Sequence, residues 1–234
     1  MAIQASGHLA KMDVTLGDTV EYQLPLDDQR IPLNSLIGQH ISLEHIGDIH
    51  CIHCGRRSKK SFSQGYCYPC FTKLPQCDTC IMSPERCHFH HGTCRDPAWG
   101  EKYCFTDHFV YLANSSGVKV GITRGTQLPT RWIDQGATQG LPIFRVQTRY
   151  QAGLIEDCIR EHVADKTSWQ KMLKGNAEPV DLAAVRDELL VLSEPGLELL
   201  EQEFGLQALH RLYSETTTEI NFPVSEFPEK VKSF

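Results

Sequence analysis

The stretch HFVYLANSSGVKVGIT, residues 108–123, sets two strand-like runs, HFVYLA and VKVGIT, on either side of Asn114-Ser115-Ser116-Gly117. Turn-forming residues between two β-rich runs predict a hairpin. Working toward the C-terminus, LPTRWIDQGA reads as a short helix, with Pro129 near its start and Gly136 near its end. IFRVQTRY is a third strand candidate. AGLIEDCIREHV places Leu154, Ile155, Cys158, Ile159 and Val163 on one helical face. The expected order is therefore hairpin, helix, strand, helix. Further helices are expected over 167–174, 181–193 and 195–213, with Pro195 opening a new one. EINFPVSEFPEKVKSF, at 219–234, reads as the start of another strand pair.

Toward the N-terminus the texture changes. VTLGDTVEYQL and ISLEHIGDIHC each place Gly-Asp between alternating runs, which predicts two hairpins with two-residue turns. Pro25 and Pro32 bracket another turn. The expectation for residues 1–50 is a small antiparallel sheet. The class is α+β, with five segments: 1–50 a small β domain, 51–107 a cysteine-rich zinc module, 108–174 an α/β domain, 175–214 an acidic helical segment and 215–234 a strand region.

Nine of the ten cysteines fall between residues 51 and 104. No early stretch resembles a signal peptide, and no apolar run reaches the roughly 18 residues of a membrane span. A cytoplasmic chain keeps its thiols reduced, so clustered cysteines point to metal rather than disulfides. Cys51-x2-Cys54-x12-Cys67-x2-Cys70 has the spacing of a closed tetrathiolate zinc site, which supports folding rather than chemistry. A second zinc is expected on two ligands beyond the favoured pair Cys77 and Cys80. Cys87, His88, His90, His91, Cys94, Cys104 and His108 compete for those places.

Net charge is −6, which disfavours indiscriminate coating of nucleic acid. Its distribution is uneven, with twelve acidic and four basic residues from Glu178 onward. The loop between the first two cysteine pairs is the basic exception, carrying Arg56, Arg57, Lys59 and Lys60 beside Phe62, Tyr66 and Tyr68. Cations suit phosphates and flat rings suit unpaired bases, so DNA or RNA is a candidate partner. A solvated loop with aromatics packed beside the zinc is the plain alternative.

The segments GYCYPCF, GTCRDPAW and VYLANSSGVKVGITR…PTRWIDQGA resemble an uncharacterised bacterial family, the domain of unknown function 2797, over nearly the whole length. Within it, FVY at 109–111, KVG at 119–121, Arg131 and Glu156 follow the order of a GIY-YIG nuclease core, over about 108–174. That resemblance implies a metal-dependent phosphodiesterase. Glu156 would hold magnesium or manganese, Arg131 would grip phosphate, and Tyr111 or Lys119 would orient or deprotonate water. Phe109 stands where the first motif has glycine and Lys119 where the second has tyrosine, with seven residues between the motifs. Taken singly, Tyr111 and Lys119 also read as outward hairpin residues, and Glu156–Arg160 as a surface ion pair. The nuclease reading expects an exposed Tyr111–Arg131–Glu156 cluster facing the basic loop. The alternative is a non-catalytic, zinc-stapled module that binds nucleic acid or a protein.

Overall fold

In the computed structural model, which describes residues 4–163 and 168–232, the chain is α+β with a small antiparallel sheet at its start. Strands β1 (Asp13–Thr15), β2 (Glu21–Leu26) and β3 (Gln29–Pro32) form it in sequence order. The expected two-residue turn at Gly17-Asp18 does not form. Thr15 pairs with Glu21, so Leu16–Val20 lie between the strands. Val20 is drawn inward instead: it is fully buried, and its N–H donates to the Asn221 carbonyl at 2.8 Å. The turn between the two prolines does form, at Asp27-Asp28, with Asp27 at φ 49°.

The second expected hairpin, ISLEHIGDIHC, is absent. Residues 40–48 form no strand, and Ile41, Leu43 and Ile46 are exposed. Alternating apolar residues make a strand only where a face is available to bury them. Only β4 (Ile49–His50) survives, pairing with β5 (Arg57–Ser58) across the first cysteine turn. Helix α1 (Tyr68–Lys73) follows, then a run of single 3-10 turns, then α2 (Pro97–Tyr103). Asp96 caps α2 by accepting from the Trp99 N–H at 3.0 Å.

The central hairpin forms as expected from β6 (His108–Asn114) and β7 (Val118–Arg124). Helix α3 (Thr130–Asp134), strand β8 (Gln139–Val146) and helix α4 (Arg149–Arg160) complete the predicted order. β8 lies beside β6, and the antiparallel order is β10-β8-β6-β7 with β9 also on β8. Pro142, which has no N–H for a ladder, sits where the β6–β8 register shifts between Val110 and Tyr111. α4 begins with a capping box between Thr148 and Gln151.

After α5 (Trp169–Met172) comes α6 (Leu182–Phe204), one continuous helix where two were expected. Pro195 lies inside it. A helical proline frees the carbonyl four residues back, here that of Val191, a residue 76 % exposed. The helix also stops sooner than expected, at Gly205 (φ 98°), and the chain returns as β9 (His210–Arg211). β10 (Thr218–Glu219) is the one strand of the expected C-terminal pair among the described residues. Residue 167 of the expected 167–174 helix, residues 164–167 of the expected α/β segment and residues 233–234 lie outside the described residues.

The sheet separates two cores. Val110, Leu112, Val120, Ile122, Leu141 and Ile143 pack against α4 and α6. Tyr111 and Ala113, pointing the other way, pack with Trp132, Ile133, Val20 and Ile220. The period of two along β6 is thus read by two different layers.

Candidate functional site

Two clusters of chemically useful side chains emerge, one in the cysteine-rich segment and one at the β6–β7–α4 junction. In the first, the Sγ atoms of Cys51, Cys54, Cys67 and Cys70 all lie within 4.8 Å of one another. Cys54 Sγ and Cys67 Sγ are 3.8 Å apart, the edge length of a tetrahedron with metal–sulfur bonds of about 2.3 Å. The backbone builds this from two turns. The Gly55 N–H donates to the Cys51 carbonyl at 2.9 Å with Gly55 at φ 68°, and Cys67 opens α1 with Cys70 one turn on. Burial raises the Cys51 thiol, but N–H groups of Cys67, Cys54 and His53 outweigh it and bring it down to about 6. Burial and the three neighbouring thiols push Cys70 up to about 12. A bound dication would reverse the preference of Cys70 for the neutral thiol and leave all four ionised. The set can hold a metal ion such as zinc.

The basic loop stands next to this site. Arg56, Arg57, Lys59 and Lys60 are exposed, with Arg57 2.8 Å from Asp48. Phe62 stacks on Phe71 (5.7 Å between centroids) and meets Tyr68 edge-on, while Tyr68 itself is 60 % exposed. The loop therefore offers cations and one open ring, while Phe62 and Tyr66 are half-buried.

The remaining cysteines divide unevenly. Cys77 is buried and turned toward the first site, with Ser63 hydrogen-bonding its thiol and Cys51 as an electrostatic neighbour. Cys80, Cys87, Cys94 and Cys104 line a separate small cavity. Asp78, Cys80 and His88 also bring ligand atoms within 4.8 Å of one another.

At the β6–β7–α4 junction, Tyr111 faces Gly121 across the hairpin. A Cβ on residue 121 would sit 2.7 Å from the phenol oxygen, so the tyrosine needs glycine opposite it. Tyr111 is fully buried rather than exposed as expected, because β6 is the central strand and α3 covers this face. Its hydroxyl donates to Gln135 Oε1 at 3.0 Å. Burial raises the phenol above its ordinary range. Arg131, within hydrogen-bonding reach, and Gln135 oppose that, and the Glu156 carboxylate adds to it. Arg131 is exposed on α3, Glu156 half-buried on α4. Lys119 pairs with Ala113 on the same hairpin and is half-buried. Arg160 pairs with Asp157.

Sequence reasoning passed over Gln135 and Arg149 here, and read His108 only as a possible zinc ligand. Gln135 holds the phenol. Arg149, the first residue of α4, is half-buried, acts electrostatically on Glu156 and donates from Nη2 to the Ile81 carbonyl at 2.6 Å. Burial lowers its guanidinium, against the pull of Cys104, Glu156 and Cys80. Burial likewise lowers His108, to about 4, with Arg149 and Arg124 adding to that. His108 Nε2 and Arg149 Nε are buried without a hydrogen-bond partner. Arginine opening a helix was the one signal available for Arg149, since basic residues usually sit at the other end.

Among the described residues, no helix is long and apolar enough to cross a membrane. Compared with curated proteins and with solved structures, the chain finds no match. A family model described as "Protein of unknown function (DUF2797)" matches residues 38–234, and the chain belongs to that family.

Proposed function

We propose that this chain is a zinc-containing nucleic-acid-processing protein, with a GIY-YIG-type, metal-dependent phosphodiesterase over about 108–174 and zinc on the first four cysteines. The observation that carries the reading is that Arg131, from α3, and Glu156, from α4, both act electrostatically on the buried Tyr111 hydroxyl of β6. Unpartnered polar atoms of His108 and Arg149 near it fit a site that receives a polar ligand.

In this reading Arg131, the exposed member, clamps two phosphoryl oxygens with its planar fork. Glu156 is the residue that would hold magnesium or manganese, which neutralises charge on the phosphate when bound. Tyr111 stays protonated, since burial raises it, and so orients water rather than deprotonating it. Lys119, one strand over, supplies a contact to phosphate or takes the proton. The basic loop at Arg56, Arg57, Lys59 and Lys60 guides the polyanion.

The buried ring of Tyr111 favours a second reading, a non-catalytic zinc-stapled module binding nucleic acid or protein, in which the cluster only locks α3 to the sheet. The test is a gel assay of single- and double-stranded DNA and RNA with magnesium or manganese. Wild type is compared with Glu156→Ala after both are shown to be folded and equally loaded with zinc. Cleavage by wild type alone is expected. A band shift without cleavage, lost when the four basic residues are replaced, would select the binding module.

A further inference from the structure

We propose that Cys80, Cys87, Cys94 and Cys104 form a second centre for a single thiophilic divalent cation, zinc foremost, which fastens the start of α4. This site stands apart from the phosphodiesterase reading. Sequence favoured Cys77 with Cys80, but Cys77 does not line the cavity, whose walls carry four other thiols together with Asp78 and His88. Its volume is about 20 Å³, room for one water-sized occupant. Sulfur is a poor partner for water and a good one for a soft cation.

Each thiol sits within or just after a short turn or helix. Cys80 lies in the 3-10 turn Thr79–Ile81, and Cys87 closes the turn Pro84–Arg86. Cys94 follows the left-handed Gly92, and Cys104 ends α2 with its N–H on the Gly100 carbonyl at 2.7 Å. Gly100 has no side chain where one would stand 3.5 Å from Cys94 Sγ. Asp78 and then Cys87, Cys104 and Cys94 are the electrostatic neighbours of Cys80. Four thiolates on a dication carry a net double negative charge. Arg149 and Arg124 lie beside Cys104 to offset it.

The competing trio, Asp78, Cys80 and His88, is better explained without metal. Asp78 Oδ1 accepts from the Thr79 N–H at 2.6 Å, and its Oδ2 meets Arg95 Nε at 2.8 Å and His88 Nε2 at 3.4 Å. His88 Nδ1 is itself engaged by Thr93 Oγ1 at 2.8 Å. Both ring nitrogens and both carboxylate oxygens are thus already used in one ion-pair network.

The consequence reaches α4. The Arg149 N–H donates to the Cys104 carbonyl at 2.8 Å, and its side chain reaches the carbonyl beside Cys80. A Cβ on Gly153 would stand 2.5 Å from Pro84, so α4 lies directly on the turn that presents Cys87.

The experiment is metal and labile-sulfide analysis of the purified full chain, with Cys87→Ser, Cys104→Ser, Cys77→Ser and His88→Ala. Wild type should hold a second equivalent of zinc, lost in the first two variants and kept in the last two. Because a serine variant can fail to fold, wild type is also loaded with cadmium-113. Two resonances at the shift of four-thiolate coordination are expected. One resonance, a second at the shift of mixed nitrogen or oxygen ligands, iron with matching sulfide, or loss of the second equivalent in Cys77→Ser or His88→Ala would each overturn the assignment.

Discussion

Residues 51–107 and residues 108–212 solve the same problem with different materials. Between 51 and 107 the buried residues of apolar type, apart from prolines and Gly100, are three cysteines, Cys51, Cys67 and Cys77. Between 108 and 212, Leu112, Leu141, Ile143, Phe144, Ile155, Ile159, Leu182 and Leu197 are all fully buried. The second region has an ordinary hydrophobic core. The first has almost none, and its four clustered thiols are the feature through which coordination could order it. Region one should thus respond to chelators and acid, region two to cavities.

The largest effect expected from this contrast is metal removal. Stripping metal, or replacing Cys67 by serine, should abolish a term of about 10 kcal/mol in zinc modules. Hydrogen exchange should then show lost protection around Cys51, Gly55 and Phe71, while β6 and β8 keep theirs. Acidification should do the same, because the ligands must be deprotonated to hold metal. Retained protection around Cys51 after chelation would break the comparison.

Next in size is Leu141→Ala, which hollows the core on the α4–α6 face and should cost about 2–5 kcal/mol. Denaturant unfolding would measure it, with zinc content of the folded fraction unchanged.

The smallest effect lies at the rim. Arg211 reaches Glu194 through two contacts of 2.8 and 3.0 Å and Glu201 at 3.0 Å, and its hydrogen bonds hold the Glu194 carboxyl below its usual range. With Glu194 well exposed, Glu194→Gln should cost no more than about 1 kcal/mol at neutral pH. A carboxyl depressed in the folded state stabilises above its unfolded pKa and stops doing so as pH falls through the folded one. The gap between wild type and Glu194→Gln should therefore close on acidification. A gap that persisted would assign the effect to packing.

Legibility followed the same division. The hairpin, α3, β8 and α4 could be read because each buries one face with its own period, and the turn residues 114–117 fall where the chain reverses. The first cysteine site could be read because coordination fixes spacing. The hairpin expected at 40–50 failed because alternation says nothing about whether a covering face exists. The break expected at Pro195 failed where the carbonyl the proline frees belongs to an exposed residue, Val191. Within the candidate site, Tyr111, Arg131 and Glu156 were visible through their order, while Gln135 and Arg149 were not. Their roles come from where α3 and α4 dock, which no local pattern encodes.

The bond from the Val20 N–H to the Asn221 carbonyl, with Asn221 Nδ2 returning to the Asp18 carbonyl 203 residues away, orders events in time. Ile220 shares its apolar layer with Val20, Tyr111 and Trp132. During synthesis the first sheet therefore leaves the ribosome long before its seat is finished. Until the segment around residue 220 emerges, that face of Tyr111 and Trp132 is only partly covered. Contacts of such sequence separation close slowly. The candidate site should thus be among the last parts of the protein to mature, after both the hairpin and the first thiolate turn are in place.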